Sequence, residues 1–212
     1  MNLLNWWWSF VKWGFTQLYT RTAWAYDAVA WMVSRGRWQA WGEAARSRIK
    51  GTRVLEIGSG PGHLLATLAG EGYDVSAIDL SPQMVAMAQR RLERSGVPSG
   101  LVLGRAQALP WPNAFFDSVV MTFPASFAVE PATLIEIKRV LHAGGRLVIV
   151  DGARLREDLY GRLVNLAFRA THGGGSELSS VVKLYEQAGF AMTCETQQWP
   201  DSSVRILLGV KR

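Results

Sequence analysis

The sequence predicts an α/β fold in which a mostly parallel sheet carries helices on both faces. Short apolar runs alternate with helical stretches from residue 50 onward. The first apolar run leads directly into a glycine-rich turn, and the chain closes with two strand-like segments joined at Pro200-Asp201. Repeated strand–helix units imply parallel strands with right-handed crossovers. We therefore expect a doubly wound sheet whose last two strands pair antiparallel, because only a short turn joins them.

Local signals place each element in turn. Five short apolar runs flanked by turn residues predict buried strands over 53–57, 73–79, 101–103, 116–123 and 146–151. Caps, prolines and following glycines predict helices between them over 61–70, 82–94 and 131–141. The alternation stops over 152–176, where we expect one helix over 156–169. A helix over 177–188 and strands over 191–199 and 203–210 complete the prediction.

Composition is that of one full domain with some extra chain. A chain of 212 residues can bury a complete core, and 49% hydrophobic with 19% charged residues excludes a disordered protein. The one cysteine, Cys194, excludes a disulfide scaffold and a cysteine-rich zinc site, and we expect no metal. A lone thiol fits a reducing compartment, so we expect a cytoplasmic protein.

The most specific motif is the turn after the first strand, which reads Glu56-Ile57-Gly58-Ser59-Gly60-Pro61-Gly62-His63. Glycines let a ligand approach the backbone closely, and the following helix N-terminus favours a carboxylate. Glu56 would repel a pyrophosphate and favour an ammonium or sulfonium group. Asp79 ends the second strand, where doubly wound folds bind a ribose diol. A ligand with all of these groups is S-adenosylmethionine, which we predict as the cofactor.

Further motifs support this prediction along the chain, at 108–110, 116–117 and 139–145. With them, residues 50–212 resemble the class I S-adenosylmethionine-dependent methyltransferases. Within that family the chain is similar to the ubiquinone/menaquinone C-methyltransferase type and to bacterial phospholipid N-methyltransferases. The likeness rests on the run 109–117, LPWPNAFFD, and on the spacing of five residues before the domain: Tyr26, Asp27, Ser34, Gly36 and Trp41. It implies a Rossmann-like seven-stranded sheet of order 3-2-1-4-5-7-6 with strand 7 antiparallel.

The resemblance also implies positions for the site and the domains. Cofactor contacts are expected from Glu56, Gly58, Ser59, Gly60, Gly62, His63, Asp79, Leu80, Met84, Ala106, Gln107 and Phe123. Tyr26 would lie over the active site and is the candidate catalytic residue. We expect a helical extension and cap over 1–49, the methyltransferase domain over 50–212, and a substrate-covering insert over 152–176.

The acceptor of the methyl group stays open at this stage. Quinone enzymes usually carry a G-x-R-N run after the fourth strand, where this chain reads Phe123-Pro124-Ala125-Ser126-Phe127. We expect an amphipathic acceptor, either a phospholipid headgroup amine or a quinone-like lipid. The alternatives are a soluble small metabolite and a non-catalytic protein that only binds the cofactor.

Charge and tryptophan are concentrated in the first quarter of the chain. Residues 1–53 hold eight basic and two acidic residues, a net +6, whereas the remainder holds fifteen of each. Eight of the ten tryptophans precede residue 42. Residues 3–20 predict a helix with a narrow polar stripe of Asn5, Ser9, Lys12, Thr16 and Thr20. Its apolar arc is about twice the roughly 100° that a core-facing helix needs.

This excess apolar surface needs a partner. We favour an anionic membrane surface bound by residues 3–20, since Trp prefers the headgroup level and basic residues attract anionic lipid. The protein would then be peripherally membrane-associated. Packing on the protein's own body and an oligomer contact remain alternatives. No nucleic-acid partner is expected, because the basic residues are not clustered on the Trp-rich helix.

Overall fold

The structure is a computed structural model that describes residues 26–96, 100–171 and 178–212. The expectations for residues 3–20 lie outside the described residues. The strands are β1 Arg53–Ile57, β2 Asp74–Asp79, β3 Gly100–Leu103, β4 Phe116–Thr122, β5 Leu141–Leu155, β6 Phe190–Trp199 and β7 Ser202–Lys211. The helices are α1 Tyr26–Ser34, α2 Trp38–Glu43, α3 His63–Gly70, α4 Pro82–Ser95, α5 Pro131–Val140, α6 Leu159–Thr171 and α7 Leu178–Gln187.

The strands form one sheet in the order β3-β2-β1-β4-β5-β7-β6. The first five strands run parallel to one another, and β7 pairs antiparallel with both β5 and β6. The predicted order and the antiparallel final strand are therefore confirmed. Since β1 lies between β2 and β4 and the three strands are parallel, the turns that follow them meet at the carboxyl-terminal end of the sheet.

Several element boundaries differ from the predictions, and the largest difference is that β5 begins at Leu141 rather than residue 146, so the predicted turn over 143–145 lies within the strand. Two of the other differences have local backbone reasons. Helix α3 begins at His63 rather than residue 61, because Gly60 and Gly62 have φ angles of +52° and +76°, which a helix does not allow. Strand β5 continues past residue 151 to Leu155, because pairing with β7 resumes after an irregularity at Asp151–Arg154. The first four residues of the predicted insert thus belong to the sheet, and α6 begins only at Leu159.

Buried side chains pack on both faces of the sheet. One cluster gathers residues of β4, β5, α5 and α7 around Phe116, Ile137 and Tyr185. The other gathers α3, β1 and β7 residues around Trp41 of α2. Trp41 is fully buried, and its Nε1–H donates to Ser202 Oγ at 3.2 Å. The helices α1 and α2 are thus anchored to the sheet by a residue from the expected extension.

The amphipathic character of the described helices is that of packed surface helices. Helix α6 turns Tyr160 and Val164 toward the core, and α7 buries Tyr185. Among the described residues, no helix combines the length and the apolar content that crossing a bilayer requires.

Candidate active site

The glycine loop after β1 has the backbone that its sequence requires. Gly58 N–H donates to Ile78 O at 2.8 Å, which ties the loop to the end of β2. A Cβ on Gly62 would lie 2.7 Å from Ala88 Cβ, so only glycine lets α4 approach here. Gly60 also needs a positive φ, but a Cβ there would meet nothing within 4 Å. Gly60 therefore faces open space that a ligand can enter.

Two buried polar atoms of the same loop have no hydrogen-bond partner among the described residues: Glu56 Oε2 and Ser59 Oγ. Glu56 is 1% exposed, and burial, reinforced by the nearby Asp79 carboxylate, raises its pKa to about 8. A buried orphaned acceptor loses the hydrogen bond that water would give it. A ligand ammonium would restore that bond and favour the charged carboxylate. The residues present therefore fit a cationic amino-acid ligand.

Asp79 links the end of β2 to the glycine loop. Its Oδ2 accepts from Gly60 N–H and its Oδ1 accepts from Ser81 N–H, both at 2.8 Å. Burial raises the pKa of Asp79, although these backbone hydrogen bonds oppose the shift. Leu80 N–H is a third backbone donor to this carboxylate, which has about four acceptor positions, so acceptor capacity is left for a ligand hydroxyl. This placement agrees with the predicted ribose contact, which stays a prediction.

The other predicted cofactor residues surround these carboxylates in different ways. Leu80 is 65% exposed beside Asp79, Met84 is fully buried, and Ala106 is 7% exposed. The Gln107 side-chain amide donates to Glu130 at 2.7 Å, so part of its hydrogen-bonding capacity is already used. His63 begins α3 at the edge of the loop. The structure thus brings the predicted residues to one edge of the sheet without testing their contacts to a cofactor.

An aromatic wall faces the loop from the end of β4. The Phe123 ring stacks on Trp38, with centroids 4.5 Å apart and planes 30° apart, and meets Trp41 edge-on. Phe123 has a φ of +47°, which is rare for a large side chain and indicates backbone strain that the surroundings hold in place. The Phe127 ring lies next to the glycine loop, because a Cβ added to Gly58 would be 3.3 Å from it.

Trp38 and Phe127 are the site residues that the sequence analysis did not single out. Trp38 also packs against Met84 of α4, so it lies between α4 and the end of β4. The available signals were the density of tryptophan before residue 42 and the replacement of the G-x-R-N run by an aromatic segment. Neither signal says which ring reaches the site, because Trp38 and Phe123 meet only through the fold.

The helices α1 and α2 are held over the loop by a polar cluster at His63. His63 Nε2 lies 2.9 Å from Asp27 Oδ1, and Arg91 donates to Asp27 Oδ2 at 3.1 Å. Gln39 Nε2 lies 3.0 Å from His63 Nδ1. The hydrogen bond with His63 lowers the pKa of Asp27 below its usual range. His63, predicted to border the cofactor, therefore also links helices α1, α3 and α4.

Most of the five spaced residues before the domain, Tyr26, Asp27, Ser34, Gly36 and Trp41, serve to build or anchor helices α1 and α2. Ser34 Oγ donates to Ala30 O at 2.6 Å and accepts from Trp38 N–H at 2.9 Å, which joins α1 to α2. Gly36 supplies a φ of +79° in the turn between these helices. Tyr26 begins α1, but its side chain lies outside the described part, so its catalytic role stays a prediction.

Comparisons with known proteins agree with this geometry. Residues 55–149 match the family model of the methyltransferase domain. The chain is 33% identical to a demethylmenaquinone methyltransferase from Clavibacter sepedonicus over 182 residues, which cover 84% of this chain and 72% of that protein. It is 31% identical to a ubiquinone/menaquinone biosynthesis C-methyltransferase from Burkholderia vietnamiensis over 141 residues, 63% of this chain and 58% of the relative.

The fold has solved counterparts as well. The structure of an S-adenosylmethionine-dependent methyltransferase from Thermotoga maritima superposes with a TM-score of 0.63 at 22% identity. The match covers 86% of this chain and 93% of the Thermotoga protein. At that identity the likeness concerns the fold, which is the predicted Rossmann-like sheet. The sheet order, the glycine loop and the relatives agree: the chain belongs to the class I S-adenosylmethionine-dependent methyltransferases, of the ubiquinone/menaquinone C-methyltransferase type.

Proposed function

We propose that this enzyme methylates an amphipathic, membrane-associated acceptor that presents a flat, quinol-type ring to the cofactor. The observation that carries the proposal is the stack of Trp38 on Phe123 beside the glycine loop. Flat rings bind well against aromatic faces in offset or edge-on arrangements. The names of the quinone-methylating relatives support the same acceptor class.

The cofactor would lie across the ends of β1 and β2. Glu56 would pair with its ammonium, Asp79 would accept from the ribose hydroxyls, and the N-terminus of α3 would face its carboxylate. Leu80, Ala106 and Gln107 would border the adenine. The orphaned Glu56 Oε2 and Ser59 Oγ support this arrangement, because each has an unmet hydrogen bond that a zwitterionic ligand can satisfy.

The protein's contribution to the reaction is alignment and exclusion of water. When bound, the cofactor supplies a methyl carbon activated by its sulfonium. The rings of Trp38, Phe123 and Phe127 would hold the acceptor atom in line with that carbon, and such positioning can lower a barrier by several kcal/mol. The acceptor's lost proton needs a base. Our candidate is Tyr26, because the family resemblance places that residue over the active site.

The membrane part of the proposal rests on residues 3–20. Burial of apolar area contributes about 25 cal/mol per Å², and several Trp side chains of roughly 150–250 Å² each would make an interfacial helix strongly favoured on that scale. Basic residues add a smaller attraction that salt screens. Deletion of residues 2–20 should abolish sedimentation with anionic vesicles while cofactor affinity stays within about threefold.

A screen with radiolabelled cofactor tests the acceptor. Vesicles would carry a quinol precursor, phosphatidylethanolamine or neither, and soluble amines would be assayed beside them. We expect transfer to the quinol precursor that Trp38→Ala reduces at least about tenfold and Trp38→Phe largely keeps, because Phe preserves a stacking face. Calorimetry with the cofactor should show affinity within about threefold for both variants. Transfer only to phosphatidylethanolamine or only to soluble amines would overturn the quinol-type acceptor.

A further inference from the structure

Large apolar side chains are exposed on α1 and α6, two helices that contact each other. Five residues make up this α1–α6 patch: Trp31, Met32, Leu159, Leu163 and Leu166, which are 67%, 58%, 80%, 62% and 63% exposed. Isolated exposed apolar side chains are ordinary, but a contiguous group of large ones indicates an interaction surface. None of these residues belongs to the candidate active site described above.

The fold joins the two helices into one surface. Tyr160 Oη donates to Met32 O at 2.6 Å, and Arg35 pairs with Asp158 at 2.6 Å while its guanidinium lies over the Tyr160 ring. The leucines of α6 are spaced by four and three residues, so they share one face. Tyr160 and Val164 occupy the other side of α6 and pack against the core. The leucines are therefore exposed because α6 packs on the core through its opposite side.

The charges around the patch favour an anionic partner. Arg35 and Arg37 are neutralised by Asp158 and Asp201. Residues 152–166, all within the described part of the chain, expose three more basic side chains: Arg154, Arg156 and Arg162. Apart from Asp158, which is paired with Arg35, the exposed acid in this range is Glu157. An apolar face with arginines at its margin matches the boundary between acyl chains and anionic headgroups.

We propose that the α1–α6 patch docks on an anionic lipid bilayer, as a second membrane contact that strengthens binding by residues 3–20 and does not hold vesicles without them. This inference deepens the membrane association proposed above, but vesicle binding does not depend on the identity of the methyl acceptor. Helix α1 continues through the turn at Gly36 into α2, which carries Trp38 of the aromatic wall. A bilayer seated on the patch would therefore lie beside the helices that cover the acceptor side, so a lipid acceptor would have a short path from the membrane.

Vesicle sedimentation of the full chain tests the proposal. The triple variant Leu159→Gln, Leu163→Gln, Leu166→Gln should bind phosphatidylcholine–phosphatidylglycerol vesicles at least about tenfold more weakly, while cofactor affinity stays within about threefold. Ile135→Gln is the matched control, because Ile135 is equally exposed at 66% but lies on α5. A second variant, Leu163→Trp, should strengthen binding, because Trp prefers the headgroup level.

Three outcomes would overturn the proposal, and a fourth would count against the acceptor instead. Unchanged vesicle binding by the triple variant would mean that residues 3–20 alone hold the membrane. Stronger binding after deletion of residues 2–20 would mean that this segment covers the patch. A dimer in sedimentation velocity that the triple variant dissociates, with vesicle binding unchanged, would mean that a second copy covers it. Failure of lipid methylation with patch-dependent binding intact would count against the proposed acceptor alone.

Discussion

The two sides of the candidate site are built in different ways. The cofactor side consists of the glycine loop and Asp79, all within 24 residues of chain, and it is held by backbone hydrogen bonds. The proposed acceptor side consists of aromatic rings from α2 and from the end of β4, and it is held by packing. The first is a polar frame that suits one ligand chemistry. The second is an apolar wall whose shape depends on how a few rings pack.

The largest expected change is in the free energy of unfolding, on substitution of the buried Trp41 behind the aromatic wall. Trp41→Ala should lower the free energy of unfolding by about 3–5 kcal/mol, because it removes a fully buried ring and its hydrogen bond to Ser202. Trp31→Ala should change it by less than about 0.5 kcal/mol, since Trp31 is 67% exposed. Urea denaturation of both variants measures this. Equal losses would contradict the view that the cap is anchored through Trp41.

The next largest effect should fall on the cofactor side alone. Asp79→Ala should weaken S-adenosylmethionine binding roughly ten- to a hundredfold, because a charged acceptor is worth about 1.5–3 kcal/mol and this carboxylate also orders Gly60. Calorimetry measures the affinity, and Trp38→Ala serves as the control from the other side. Similar losses in both variants would mean that the two sides are not separable.

This contrast also explains what the sequence could predict. The glycine loop, Asp79 and the sheet order follow from residues that are close in the chain or from a family resemblance, and the structure agrees with the loop geometry and the order. The Trp38–Phe123 stack joins distant segments, so no local pattern identifies it. The tryptophan density before residue 42 predicted a membrane contact for residues 3–20, but it did not indicate how Trp31, Trp38 and Trp41 would lie. The structure buries Trp41 of α2 and exposes Trp31 of α1, on the two sides of the turn at Gly36.

A pH dependence should mark the cofactor side. Glu56 has a pKa of about 8, so it is mostly protonated at pH 6.5 in the protein without ligand. Pairing with an ammonium lowers that pKa, and binding should then release close to one proton. Cofactor affinity should accordingly rise about tenfold from pH 5.5 to pH 6.5. Calorimetry in two buffers of different ionisation enthalpy counts the released proton.

The control for this measurement is Glu56→Gln, which keeps the shape of the side chain but has no proton to release. Its cofactor affinity should be weaker and nearly independent of pH in the same range. A proton release that persists in this variant would assign the titration to another group and would remove the argument for an ammonium contact at Glu56.

The smallest effect should appear where the two sides are joined. Asp27 pairs with His63 and Arg91, and the hydrogen bond with His63 lowers its pKa. A carboxylate with a lowered pKa adds stability above its unfolded value of 3.8, and that stability disappears as the pH falls through the folded pKa. These side chains are partly exposed, so Asp27→Asn should cost only about 0.2–1 kcal/mol. The loss should be local, with faster hydrogen exchange in α1 at pH 7 and unchanged exchange in β1.

Glu71→Gln is the matched control, because it breaks the similarly exposed pair with Arg46 away from α1. Equal protection of α1 in both variants would show that packing through Trp38 and Trp41 alone holds the cap over the cofactor loop.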